Sequence, residues 1–143
     1  EGVGSTARVG APGEPVGDRY EFGEVVAVGG LGVIRRAYDR RLGRTVAVKE
    51  LRRSDPDAER RFLLEAAITA RLQHPSIVPL YDIGRFPTGE PYYCMKLVEG
   101  RSLELVIRDA GTLQTRLALL VHVLAAADAI AHAHRHGVIW CAI

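Results

Sequence analysis

Cysteine is scarce: the 143 residues hold two, Cys94 and Cys141, too far apart in sequence to form a metal-type or redox pair. That argues against a disulfide-stapled secreted scaffold and for a reducing cytoplasm. An excess of one charge is lacking as well. Lys and Arg number 19 against 17 Asp and Glu, a net +2, and the basic residues are dispersed among acids. Neither nucleic acid nor a membrane surface is therefore expected as a partner. No secretory signal is visible. The longest apolar run, residues 117–133, is interrupted by His122, Asp128 and His132, so it reads as a helix in a protein core and no membrane segment is expected. With 48% hydrophobic and 25% charged residues, the chain suits one soluble globular domain with a real core. Its first residue is Glu1 and not Met, which leads us to expect a fragment of a longer chain.

Residues 1–17 are rich in Gly and Pro among small polar neighbours and are expected to form a flexible leader. From Tyr20 to Val28 the residues are apolar and β-prone, Gly29-Gly30-Leu31-Gly32 interrupts them, and Val33 to Tyr38 resumes, which predicts two strands joined by a glycine-rich turn. A second turn at Asp39 to Gly43 leads to Thr45-Val46-Ala47-Val48-Lys49-Glu50, a strand that buries both faces yet delivers a lysine. Burying that ammonium requires an anionic partner. Asp55-Pro56 suits a helix start, and the helix should run to about Leu72. Within it Phe62, Glu65, Thr69 and Leu72 share one face, so Glu65 points inward and needs a cation. Strands are then expected over residues 77–83 and 92–98, a short helix capped by Ser102, and a long helix over residues 114–136 stopped by Gly137.

A glycine turn alone is a weak sign, since an ordinary hairpin uses the same residues. Its backbone N–H groups can close over a phosphate. A dinucleotide fingerprint would need a helix directly after the glycines, where a strand is expected instead. The order of features says more. Gly29-Gly30-Leu31-Gly32, then Val46-Ala47-Val48-Lys49, then Glu65, then Met95-Lys96-Leu97-Val98-Glu99-Gly100 resembles the N-terminal half of a protein kinase. Arg71-Leu72-Gln73-His74-Pro75-Ser76-Ile77-Val78 and His134-Arg135-His136-Gly137-Val138-Ile139 look like the bacterial serine/threonine branch of that family. The resemblance implies an α+β fold: a five-stranded antiparallel sheet with one helix as N-terminal lobe and hinge over residues 18–100, then two helices of a C-terminal lobe over residues 101–143.

By the same resemblance, Ala27, Gly29 and Gly32 belong to the loop over the ATP phosphates, Ile34 lies against adenine and Ala47 roofs its pocket. Lys49 binds the α- and β-phosphates and pairs with Glu65. Met95 is the residue at the back of the pocket, the Lys96 carbonyl and Val98 N–H bond adenine, and Glu99 lies near the ribose. The implied cofactors are ATP and Mg2+. A purely structural Lys49–Glu65 pair is the plainer alternative, but buried pairs are weak contributors to stability.

Some positions depart from the pattern. Ala27 replaces the first loop glycine, and Lys96 stands where an acid is usual. Where the family has Val-Ile-His-Arg-Asp-Leu, this sequence has Val138-Ile139-Trp140-Cys141-Ala142-Ile143, so Ala142 replaces the Asp that accepts the substrate hydroxyl's proton. The catalytic-loop Asn and the Asp-Phe-Gly that holds magnesium are not among the residues. The expectation is therefore a truncated, inactive piece of a protein serine/threonine kinase, in the cytoplasm, whose protein substrate is not legible. The alternative is a non-catalytic, pseudokinase-like module that binds nucleotide or a protein. A small-molecule phosphotransferase fits the glycine turn and the Leu72 to Val78 segment less well. His132 and His136, one helical turn apart, have a spacing that can hold zinc, but no acidic partner is seen in register and no metal site is expected. Leu117, Leu120, Val121, Leu124 and Ile130 give the last helix an apolar face through which association is expected.

Overall fold

In a computed structural model, which describes residues 15–16, 19–52 and 55–139, the expected lysine strand is central to a sheet and has both faces covered. It is β4, Arg44–Leu51, with Val46, Ala47, Val48, Glu50 and Leu51 all buried. Around it lie β1 (Pro15–Val16), β2 (Tyr20–Val28), β3 (Gly32–Asp39), β5 (Leu80–Arg85) and β6 (Pro91–Met95), in the order β1-β2-β3-β4-β6-β5 and antiparallel throughout. The five expected strands are thus present. The two-residue β1 pairs with the start of β2, so the sheet reaches back into the expected leader; the rest of that leader lies outside the described residues.

One face of the sheet packs Tyr20, Phe22, Ala37, Val46, Val48, Tyr92 and Cys94 together, with Phe86 against them. The other face receives α1, Pro56–Arg71, through Ala58, Phe62 and Ala66 against Leu51 and Tyr93. Asp55 caps this helix as its sequence requires, its carboxylate accepting the Ala58 N–H at 2.8 Å. Short connections between consecutive strands keep the sheet antiparallel, and the β3–β4 turn is fixed by Asp39. That carboxylate, wholly buried, accepts from the Arg41 and Leu42 N–H groups and pairs with Arg19 at 3.1 Å.

Two strand ends differ from expectation. The fourth strand of the reading begins at Leu80 and not at Ile77, because Ile77 N–H closes a turn onto the His74 carbonyl. The next strand ends at Met95 instead of Val98: the Lys96 N–H goes to the Pro79 carbonyl at 3.1 Å, and residues 96–100 leave the ladder.

The chain divides into two compact units, the first holding the sheet and α1, the second Leu72–Val78 and the residues from Val98 onward. In the second unit α2 (Leu103–Asp109) is capped by Ser102, as expected. The long helix is divided at Leu119 into α3 (Leu113–Ala118) and α4 (Leu120–Arg135), where i to i−3 bonds of Leu119 and His122 tighten the turn. Gly137 follows with φ of 73°, the left-handed stop its position predicts. By length and composition Leu113–Arg135 is apolar enough to cross a membrane. It carries His122, Asp128, His132 and His134, with Asp128 paired to His74 at 3.0 Å, but among the described residues little of it is buried, so the core helix expected from the sequence is not what the structure shows. The five apolar residues singled out on this helix are all exposed.

Candidate functional site

The opening problem of the sequence, a lysine delivered by a buried strand, is solved by α1. Lys49 Nζ lies 2.6 Å from Glu65 Oε1, with the lysine side chain 15% and the glutamate 35% exposed. Glu65 reaches it because Phe62, three residues earlier on the same helical face, is fully buried against Tyr93 with ring centroids 4.9 Å apart. A third group converges there, from the strand expected over residues 92–98. Tyr93 Oη donates to the same Glu65 oxygen at 2.7 Å. Burial first, and then this bond to the carboxylate, push the Tyr93 phenol far up, so it stays protonated and stays a donor. The signal available in sequence was its i, i+2 spacing from Met95, which puts both on one face of β6.

Strand register assembles most of the other expected residues. Ala27 is opposite Ile34, Ile34 opposite Lys49, and Lys49 opposite Tyr93, so these four share one row on one face. Ala47, two residues before Lys49, occupies the same face and pairs with Met95 in the next row. The glycine turn is closed by the Gly29 N–H to the Gly32 carbonyl at 2.8 Å, and the Leu31 carbonyl accepts the Arg52 N–H at 3.1 Å. Glycine is required at 32 by packing alone: a Cβ there would lie 2.5 Å from the Glu50 carbonyl oxygen and 3.3 Å from the Lys49 side chain. At Gly29 and Gly30 a Cβ would meet nothing closer than 3.8 Å. Lys96 is exposed just past Met95, while Val98 and Glu99, both exposed, open the second unit and are described with it. Ala142 lies outside the described residues.

Glu50, next to Lys49, points to the opposite face. It is 4% exposed and its two carboxylate oxygens are buried without a hydrogen bond among the described residues. Burial pushes this carboxyl up to about 7, against the opposing field of the buried Arg35 guanidinium. In the second unit, His74, His132 and His136 stack in a row with ring centroids 5.1 and 4.4 Å apart. An acid does stand in register with these histidines, contrary to the sequence reading: Asp128 is one turn before His132. Its carboxylate is taken by His74 Nε2, whose tautomer is set by the Ser76 N–H donating to Nδ1 at 3.1 Å. Cys94 is fully buried in the sheet core, and burial raises its thiol pKa, as suits packing and not nucleophilic chemistry.

The protein kinase domain family matches residues 20–143, and the chain belongs to it. It is 39% identical over 128 residues to the serine/threonine-protein kinase PknB of Mycolicibacterium smegmatis, a match covering 85% of this chain and 20% of that protein. To the serine/threonine-protein kinase PknA of Mycobacterium tuberculosis it is 41% identical over 114 residues, 75% of this chain and 26% of the relative. The chain thus spans about a fifth to a quarter of the curated relatives it matches. Among solved structures, the kinase domain of Mycobacterium tuberculosis PknI superposes with a TM-score of 0.66 at 26% identity, over 89% of this chain and 52% of that one. The family is one whose enzymes use ATP with Mg2+.

Proposed function

We propose that the face carrying Ala27, Ile34, Ala47, Lys49 and Met95 binds ATP, as the nucleotide-holding part of a serine/threonine protein kinase. In that reading Gly29 and Gly32 shape the loop over the phosphates, Lys49 contacts the α- and β-phosphates, and the Lys96 carbonyl bonds adenine. The observation that carries it is the Lys49–Glu65 pair at 2.6 Å, with Lys49 in register with Ile34 on the face where an adenine would lie. Mg2+ completes the nucleotide in the family, but the motif that holds it is not among residues 1–143. We place the chain in the cytoplasm, in keeping with its buried free thiol Cys94.

The test is thermal. A ligand that binds only the folded state stabilises it by about 2.7 kcal/mol at one hundred times its Kd. ATP should raise the Tm of the wild-type chain, and Lys49→Ala should abolish the rise. No rise in the wild type, or an equal rise in the variant, overturns the nucleotide reading.

A second reading, a non-catalytic nucleotide-binding or interaction module, is favoured by Ala142. Alanine can neither accept a proton nor orient a hydroxyl. A purified polypeptide of residues 1–143 should therefore transfer no phosphate from radiolabelled Mg-ATP to a serine- and threonine-rich protein. Transfer that disappears with Lys49→Ala would refute this.

A further inference from the structure

We propose that Tyr93 is a positioning residue for the Lys49–Glu65 pair: its phenol holds the Glu65 carboxylate, and with it this turn of α1, in the paired position before any nucleotide arrives. The inference deepens the ATP reading and rests on it for its meaning, though its geometry stands alone.

Two donors from adjacent strands converge on one oxygen. Lys49 and Tyr93 are directly opposite in the β4–β6 register, and Glu65 Oε1 accepts from Nζ at 2.6 Å and from Oη at 2.7 Å. The helix that carries Glu65 buries Ala58, Phe62 and Ala66, packs Leu63 against the same cluster, and is tied to β5 by Glu59 and Arg85 at 2.5 Å, about a turn and a half before Glu65. Tyr93 makes two of the contacts that orient it, the hydroxyl to Glu65 and the ring against Phe62.

Of the two donors, Tyr93 is the fixed one. It is 4% exposed, rigid about two side-chain torsions and embedded in the α1 core, whereas Lys49 ends a four-carbon stem. When the ammonium turns toward a phosphate, the phenol remains on the carboxylate, so Glu65 keeps a donor and need not swing away. A phenylalanine would preserve the ring contact and supply no such donor, which makes Tyr93→Phe the informative variant.

The experiment compares wild type and Tyr93→Phe, full chain, in two ways. First, the amines are acylated at neutral pH without nucleotide, using a water-soluble succinimidyl ester, and read by peptide mass spectrometry. Lys96, the only other lysine and an exposed one, is the internal standard. Losing the phenol should let Glu65 drift and speed Lys49 acylation, relative to Lys96, about threefold or more, the scale of a hydrogen bond to a charged group. An unchanged or slower rate overturns the proposal.

Second, ATP affinity is measured by calorimetry in a cycle with Glu65→Ala. Tyr93→Phe should weaken binding about five- to tenfold in the wild-type background and leave it unchanged in the Glu65→Ala background. An equal loss in both backgrounds means that Tyr93 acts through packing and refutes the proposal. Absence of ATP binding by the wild type would fell the nucleotide reading, while the acylation ratio would still decide the role of Tyr93.

Discussion

Phe62→Ala should lower stability by about 3–5 kcal/mol, the range for a fully buried aromatic truncated in a core, and should also abolish the ATP-dependent rise in Tm. Phe62 is 0% exposed, and the helix's other fully buried side chains are the small Ala58 and Ala66. Its ring against Tyr93 is therefore the main apolar attachment of α1 to the sheet. Glu65 lies three residues further along the same face, so loosening Phe62 withdraws the carboxylate from Lys49. The control is Leu64→Ala on the same helix, 54% exposed, where a change within about 0.5 kcal/mol is expected. Urea denaturation with and without ATP reads both effects. A loss below about 1 kcal/mol, the lower end for burying even part of such a side chain, or an undiminished response to ATP, would mean that α1 is held by something other than this contact.

What could be read from the sequence was local. The Val-Ala-Val run before Lys49 fixes β4, because β-formers buried on both faces leave little choice of structure. Asp55-Pro56 fixes the start of α1 for the same kind of reason: the cap and the missing proline N–H act within one turn. The Lys49–Glu65 pair was legible from charge, since each was an inward-facing ion without a local partner. What could not be read depends on register between remote strands. Tyr93 donates to Glu65 because β6 places it opposite Lys49, and nothing in its immediate neighbours encodes that pairing. The end of β6 at Met95 is set by a carbonyl at Pro79, and the partner of Asp128 is His74, 54 residues away. Gly32 was read for a phosphate, yet the first demand on it is the approach of the turn to the Glu50 carbonyl. The nucleotide role and the packing role ask for the same residue, and the glycine by itself cannot separate them.

Glu50→Gln should stabilise the protein above neutral pH and flatten its stability across the acid range. Folding carries the Glu50 carboxyl from its ordinary 4.5 to about 7, through burial that outweighs the nearby Arg35 charge. Between those two values the folded state holds a proton that the unfolded state has lost. Stability therefore falls as pH rises through this window and levels off above about 7. The full difference is about 3 kcal/mol at most, at roughly 1.4 kcal/mol for each tenfold in proton affinity. Glutamine is the same size and carries no proton to lose, so at about pH 8 the variant should gain up to that amount, while below pH 4.5 the two proteins should match. Denaturant titrations on either side of the window read this directly. If the variant is instead less stable at the higher pH, Glu50 is ionised and serves as the counter-ion of Arg35, whose guanidinium donates to the Gly23 carbonyl at 3.1 Å beside the β2 bulge. The distinction bears on the nucleotide face, because Glu50 is the strand residue whose backbone carbonyl the glycine turn approaches at Gly32. A charge that is absent beneath that turn leaves its position to packing alone; a charge that is present ties β2, β3 and β4 together under it.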